Sequence, residues 1–380
     1  MFILSVIGFV LAISAKWAYD YFGLSCFEQI IFHLKVPLEG TNPQVFKDWG
    51  KQCFFKGLVI GAVLCVPCFF PVLGNCYGNC YGMIAGLVFA GTILYALWKV
   101  RIVEYVINQF RTTDLYEKYY VDGNKVNITF PQKKRNLILL YVESMETTYT
   151  SKENGGDYKI FDIKEAKKQG KMPEDYRVFW GYEDEKLFKF AKEEVTALSK
   201  CGKPFNFTML TVDTHHPYGY VDQNYQQDYP EQLSNIIRGS SKKVGAFVEW
   251  LKEQLFYEDT TILITGDHIS MAAEYINSTY DKDYDRTIFN TFIHSAVQTA
   301  NNKNRLFTSF DMYPTILSAI GAKVEGDKLG LGVNLFSGRK TIAEEIGLTK
   351  LDQELRKQSK YFKEQIVGCY DEKGRKQKVI

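Results

Sequence analysis

The sequence has almost no excess of charge of either sign. Its 46 lysines and arginines face 44 aspartates and glutamates, a formal net charge of +2. Nothing in that balance points to nucleic acid as a partner. Histidine is scarce, with 5 in 380 residues, so each position carries weight. Cysteine is nearly absent from the polar part of the chain. Cys201 and Cys369 are its only two, while Cys26, Cys53, Cys65, Cys68, Cys76 and Cys80 crowd the first 80 residues. That distribution is no disulfide framework for the polar part. Cys76 and Cys80 lie in a Gly-Asn-Cys-Tyr-Gly near-repeat without a neighbouring histidine, which argues against zinc there. The polar part also lacks internal repeats and low-complexity tracts. Charge is missing altogether from three stretches, residues 1–15, 57–73 and 82–98.

Those three stretches are what the N-terminal quarter is made of. Each approaches the roughly 17–25 apolar residues that cross a bilayer. A buried soluble hairpin is the competing reading of the second and third. No charge interrupts either run and a Gly-rich turn is expected between them, so a membrane anchor fits better. Residues 1–15 have no basic start and no convincing cleavage site, unlike a signal peptide. Lys51, Lys56, Lys99 and Arg101 flank the hairpin on one side. By the positive-inside rule they put the following domain in the cytoplasm. Residues 99–118 read as an amphipathic connecting helix with Val103, Val106, Ile107 and Phe110 on one face.

From Asn136 onward the pattern is that of a soluble α/β domain. Strands are expected at 136–142, 205–212 and 260–265, and another near 287–293. Helices are expected at 183–199, 231–256 and 309–320, followed by a Lys/Glu-rich tail. Alternating strands and helices predict a mostly parallel sheet covered on both faces. The first three strands each run into acid or imidazole: Glu143 after the first, Asp213, His215 and His216 after the second, Asp267 and His268 after the third. In open α/β sheets, ligands bind at the carboxyl ends of strands. Two carboxylates and an imidazole suit Mn²⁺ or Zn²⁺ better than Ca²⁺. Each residue also has a plain structural reading. Glu143 could cap a turn, Asp267-His268 could form an Asx turn after Gly266, and His215-His216 could sit on an exposed loop.

Six segments, in order, resemble the lipoteichoic acid synthase/phosphoglycerol transferase family of the alkaline phosphatase–sulfatase superfamily. They are 32–42 (FHLKVPLEGTN), 136–149 (NLILLYVESMETTY), 210–217 (LTVDTHHP), 266–268 (GDH), 311–321 (DMYPTILSAIG) and 329–338 (LGLGVNLFSG). The resemblance implies an alkaline-phosphatase-like, mostly parallel sheet flanked by helices, incomplete here, behind an α-helical membrane anchor. Its expected layout is an anchor over 1–98 and a connecting helix and linker over 99–135. A catalytic domain follows over 136–345, with a charged tail over 346–380. It implies a multi-pass cell-membrane protein with an extracytoplasmic catalytic domain, against the charge-flank reading. The implied reaction moves phosphoglycerol from phosphatidylglycerol to a glycan or glycerol-phosphate polymer through a covalent phospho-threonine. By motif position Glu143, Asp267 and His268 resemble the ligands of a divalent metal, Mn first, with Zn or Mg as alternatives. His215, or less closely His216, resembles the histidine that holds the substrate phosphate.

One departure stands out. The family carries its nucleophilic threonine in a long segment after the first strand. Here residues 147–156 run straight into 157–162, which resembles family sequence from well past that threonine. The chain reads as though a piece were missing near Gly156 and Asp157, and Thr147 and Thr148 are weak surrogates. Residues 157–200 are then expected to pack poorly for want of neighbours. Two further readings follow. One is a non-catalytic membrane-bound remnant that binds metal and anionic lipid or glycan. The other, ranked last, is a metal-dependent phosphatase or sulfatase, because no Cys/Ser-x-Pro-x-Arg sequence is present.

Overall fold

The computed structural model describes residues 2–22, 26–35, 43–66, 71–142, 161–176, 178, 181–216, 218–279, 281, 283, 285–300 and 303–368. Its helices begin with α1 (Phe2–Phe22), α2 (Phe27–Lys35), α3 (Pro43–Trp49), α4 (Phe55–Cys65), α5 (Pro71–Lys99) and α6 (Ile102–Phe110). They continue with α7 (Leu115–Tyr119), α8 (Ile163–Lys168), α9 (Asp184–Ser199), α10 (Gln232–Lys252) and α11 (Ala273–Thr279). The last are α12 (Met312–Ala319), α13 (Ile342–Ile346) and α14 (Leu348–Leu355). The strands are β1 (Ile128–Thr129), β2 (Asn136–Val142), β3 (Asn206–Thr211), β4 (Thr260–Gly266) and β5 (Asn290–Ile293). Three short ones follow, β6 (Lys323–Val324), β7 (Lys328–Leu329) and β8 (Gly332–Val333). Residues 1–110 and 270–283 form one compact unit, and 111–269 with 284–380 form another.

In the first unit α1 packs against both α4 and α5. Gly57 and Gly61, four residues apart on α4, let the helix backbones approach closely. A Cβ on Gly57 would lie 2.6 Å from Val10 Cγ2, and one on Gly61 would run into Val6. Small residues at this spacing join helices where lipid gives no hydrophobic drive. Two stretches, Phe2–Phe22 and Gly82–Lys99, are long and apolar enough to cross a membrane, among the described residues. The Gly-rich stretch expected to turn is instead helical, because α5 runs unbroken from Pro71 to Lys99. Glycine costs about 1 kcal/mol per position in a helix interior.

The second unit is an α/β domain. Its main sheet has the order β3-β2-β4-β5. The central strand β2 is parallel to both β3 and β4, and β5 closes the edge antiparallel to β4. Side chains alternate across the sheet with the strand period of two. Ile138, Leu140, Met209, Ile262 and Ile264 face one way, onto Phe188, Ala191 and Val195 of α9 and Phe247, Val248 and Leu251 of α10. Leu137, Leu139 and Leu263 face the other way, onto Met312 and Ile316 of α12. Both faces are covered, which is why these strands read as continuous apolar runs. The described residues of 161–200 do not pack poorly. Phe188, Ala191 and Val195 enter the sheet core, while Phe190 joins Ala166 and Met172 in a separate buried cluster. Aromatics at 161, 176 and 182 close that cluster, so α8 and α9 supply their own neighbours.

Two of the family-like segments build one joint rather than a site. The buried Asp311 carboxylate accepts from Val333 N at 2.8 Å and from Thr308 N at 2.8 Å. Thr315 Oγ1 donates to Asp311 O and accepts from Leu335 N. Gly332 lies so close to Phe310 O that no side chain fits there. Further on, α13 and α14 bury Ile342 and Leu351 against Leu115 of α7.

The α1–α4 contact gives a direct test. Gly57→Ile should destabilise the detergent-solubilised chain by about 1–3 kcal/mol through overpacking. Gly86→Ile, where nothing lies within 4 Å of a new Cβ, should not. Thermal unfolding of the two variants beside the parent checks it, and equal losses would contradict the close approach.

Candidate active site

The strand register puts three strand ends in one row. Val142 of β2 lies opposite Thr211 of β3 on one side and Gly266 of β4 on the other. The chain therefore leaves the sheet at one level toward Glu143, Asp213 and Asp267. Glu143, Thr147, Thr148, Gly156 and Asp157 lie outside the described residues. His215, His216, Asp267 and His268 are described.

Asp267 follows β4 directly, and its Oδ2 is buried with no hydrogen-bond partner. His268 Nε2 stands 3.3 Å from that oxygen. Burial pushes the Asp267 carboxyl up to about 6, against the opposing pull of His268 and backbone N–H groups. His268 Nδ1 is 2.8 Å from Ile269 O. A carbonyl only accepts, so Nδ1 donates, and the neutral form of such a ring has its lone pair at Nε2. A carboxylate oxygen without a donor, beside an imidazole lone pair, fits a divalent cation of mixed oxygen and nitrogen preference. No group of three metal-binding side chains occurs among the described residues.

His215 is placed the same way. Its Nδ1 is 2.7 Å from His216 O, and its ring stacks on that of His216 at 5.1 Å. Burial, with a smaller repulsion from His268, pushes the His215 imidazole down to about 4. His215 is therefore neutral at pH 7, with its ring proton on Nδ1 facing His216 O. The register aligns the ends of β3 and β4, from which the His215 and Asp267-His268 segments leave the sheet.

A buried polar clasp, which the sequence reading did not identify, holds the His215 loop. Asp184 N, at the start of α9, donates to Asp213 Oδ1 at 3.0 Å. In return, Asp184 Oδ1 accepts from Val212 N at 2.7 Å and Asp213 N at 3.4 Å. Ser240 Oγ donates to Asp184 Oδ2 at 3.2 Å, and Tyr225 OH donates to Asp213 Oδ2 at 2.5 Å. Lys243 Nζ lies 3.7 Å from Asp213 and 2.8 Å from Asp222. The Tyr225 ring lies directly on Gly239 of α10, where a side chain would displace it. The loop then turns through Gly219 at φ +66°, where a Cβ would come within 2.8 Å of Asp213 O. Gly219 N and Tyr220 N close it by donating to His215 O and Asp213 O. A cavity of about 400 Å³ behind Tyr225 is lined by Arg238, Lys242 and Lys243. Arg238 is paired with Asp228 and Lys243 with Asp222, and the cavity is separate from the strand-end row.

Burial, then the charge on Asp213, pushes the Asp184 carboxyl up to about 7. Asp213 is also raised by burial, but Tyr225 and Lys243 oppose that. The pair therefore keeps its proton on Asp184 near neutrality. A folded value above the unfolded one gives stability that is full below about pH 4 and is lost as pH rises through about 7. Asp184→Asn can keep the Oδ1 bonds and should remove that dependence. At pH 8 the variant should equal or exceed the parent, by up to on the order of 2 kcal/mol. Thermal melts at pH 5 and pH 8 check it. A variant that loses stability equally at both would contradict a buried protonated acid.

The sulfatase family model matches residues 117–322, more than half of the chain. The chain belongs to the sulfatase family. Among curated proteins it is similar to phosphoglycerol transferase I of Salmonella choleraesuis strain SC-B67, 28% identical over 234 residues. That match covers 59% of this chain and 27% of the relative. The Salmonella arizonae phosphoglycerol transferase I is 29% identical over 171 residues, 43% of this chain and 20% of the relative. The chain thus spans about a quarter of the length of the curated relatives it matches. A crystal structure of a protein in the alkaline phosphatase superfamily from Vibrio parahaemolyticus matches at 22% identity and a TM-score of 0.38. It covers 56% of this chain and 50% of that one.

Proposed function

We propose that the chain is a membrane-anchored phosphoglycerol transferase. In this reading it moves phosphoglycerol from a phosphatidylglycerol-type lipid to a glycan or glycerol-phosphate polymer. The observation that carries the reading is the row of strand ends of β2, β3 and β4, from which the segments with Glu143, His215 and Asp267-His268 follow, on a sulfatase-family sheet. The phosphoglycerol transferase relatives support the donor class. Sulfate-ester cleavage has less support, since the sequence lacks a Cys/Ser-x-Pro-x-Arg segment.

Asp267 Oδ2 and His268 Nε2, with Glu143, would hold a divalent metal, Mn²⁺ before Zn²⁺ or Mg²⁺. When bound, such an ion polarises a phosphoryl oxygen and favours ionisation of an attacking hydroxyl. His215 Nε2 is the group assigned to the substrate phosphate, with His216 second. A neutral Nε2 binds a phosphate oxygen only after taking a proton, which the phosphate's own charge favours. The Asp184–Asp213 clasp fixes the loop, so His215 meets the phosphate without reordering its backbone. Thr147 and Thr148 are the surrogate hydroxyls. An attacking oxygen must sit about 3–3.5 Å from phosphorus, and a misplacement near 1 Å costs about a hundredfold. Helices α1 and α5 would span the membrane, with the second unit on the extracytoplasmic side where the lipid donor is met.

A second reading, a binding remnant without turnover, is motivated by the short interval between Glu143 and Asp157. Headgroup-labelled phosphatidylglycerol in detergent with Mn²⁺ separates the two. Metal-dependent release of diacylglycerol that disappears in Glu143→Gln supports the transferase. No release from a chain that still binds Mn²⁺ would contradict turnover and leave the remnant.

A further inference from the structure

The amphipathicity of α6 is inverted for a helix in water. Val103, Val106, Ile107 and Phe110 form an i, i+3, i+4, i+7 stripe that faces outward, with Phe110 86% exposed. Its opposite side carries the protein contacts. Asn108 is 7% exposed, and the Tyr105 ring packs on Phe27 of α2 with centroids 5.2 Å apart. Water would favour the reverse arrangement.

The segment just before α6 has the marks of a membrane boundary. Leu87 and Leu94 of α5 are exposed apolar residues, followed by exposed Tyr95 and Trp98. Aromatic rings of this kind favour the headgroup level. Charge appears at the same height. Lys99 Nζ lies 3.6 Å from Asp20 and 5.4 Å from the Tyr19 ring centroid, both near the end of α1. Arg101 then takes φ +54°, a left-handed conformation that ends α5 and redirects the chain. Its guanidinium lies 3.9 Å from Glu104, on the first turn of α6. The apolar stripe thus begins within a few residues of the boundary layer.

We propose that α6 lies in the plane of the bilayer surface, with its Val103–Val106–Ile107–Phe110 stripe set at the boundary between headgroups and acyl chains. Continuity with the aromatic and charged end of α5 identifies lipid as the occupant of the stripe. The inference rests on the membrane placement of α1 and α5 proposed above.

The test uses the full chain in vesicles of phosphatidylglycerol and phosphatidylcholine. A genetically encoded fluorescent amino acid is placed at Leu87, Tyr105, Val106 or Phe110, one per variant. Quenching is measured with lipids brominated near the headgroup or deep in the acyl chain. Leu87 should respond to the deep quencher. Val106 and Phe110 should each respond several-fold more to the shallow quencher than Tyr105 does. Both are already exposed, so the probe displaces no packed neighbour. If Leu87 is quenched while Val106 and Phe110 respond no more than Tyr105, the stripe faces water or protein and the inference falls. If Leu87 itself is not quenched, the membrane placement fails and the inference falls with it.

Discussion

Parallel pairing of β2 with two neighbours is the constraint on which the site depends. It fixes Thr211, Val142 and Gly266 opposite one another, so three chains leave the sheet at one level. A slip of one residue in either pair would move the whole apolar set to the wrong face. The core therefore protects the register, and the register aligns the site. Buried Ile138, Leu140, Ile262 and Leu263 enforce it from both faces. Hydrophobic packing and site geometry are thus one requirement read twice.

That requirement leaves a polar problem at the strand ends, where peptide groups must be satisfied without a fourth parallel neighbour. The Asp184–Asp213 clasp is the solution on the β3 side. Each carboxylate accepts from the other's backbone N–H. The helix start of α9, the strand end of β3 and the His215 loop are tied through two side chains. On the β4 side no such partner meets Asp267 Oδ2. The contrast is physical: Asp213 is fully used by the fold, whereas Asp267 keeps a buried oxygen without a donor.

Much of this was legible in the sequence. Unbroken apolar runs ending in acid or imidazole located β2, β3 and β4 almost to the residue, because strands covered on both faces need such runs. The helices α9, α10 and α12 lie within a few residues of the ranges expected for them. The Gly-rich stretch of α5 misled, since glycine signals a turn only by local propensity, and here the helix runs through it. The segments at 311–321 and 329–338 were legible as family sequence but not as one joint, because the Asp311–Val333 contact joins distant residues. Asp213 was visible at its strand end. Its partners Asp184, Tyr225 and Lys243 were not, since only the tertiary fold brings α9 and α10 to it. The inverted face of α6 was visible as a stripe, but the sequence could not say which side the protein covers.

If Asp267, His268 and Glu143 hold one divalent metal, as proposed, that metal must stabilise the folded chain. The most direct measurement is the melting temperature of the detergent-solubilised chain with and without Mn²⁺, beside Asp267→Asn. At free metal about 100 times its Kd, binding stabilises the native state by about 2.7 kcal/mol. A rise of several degrees is expected in the parent and none in Asp267→Asn. A parent indifferent to Mn²⁺ and Zn²⁺, or a variant that responds as the parent does, would contradict it.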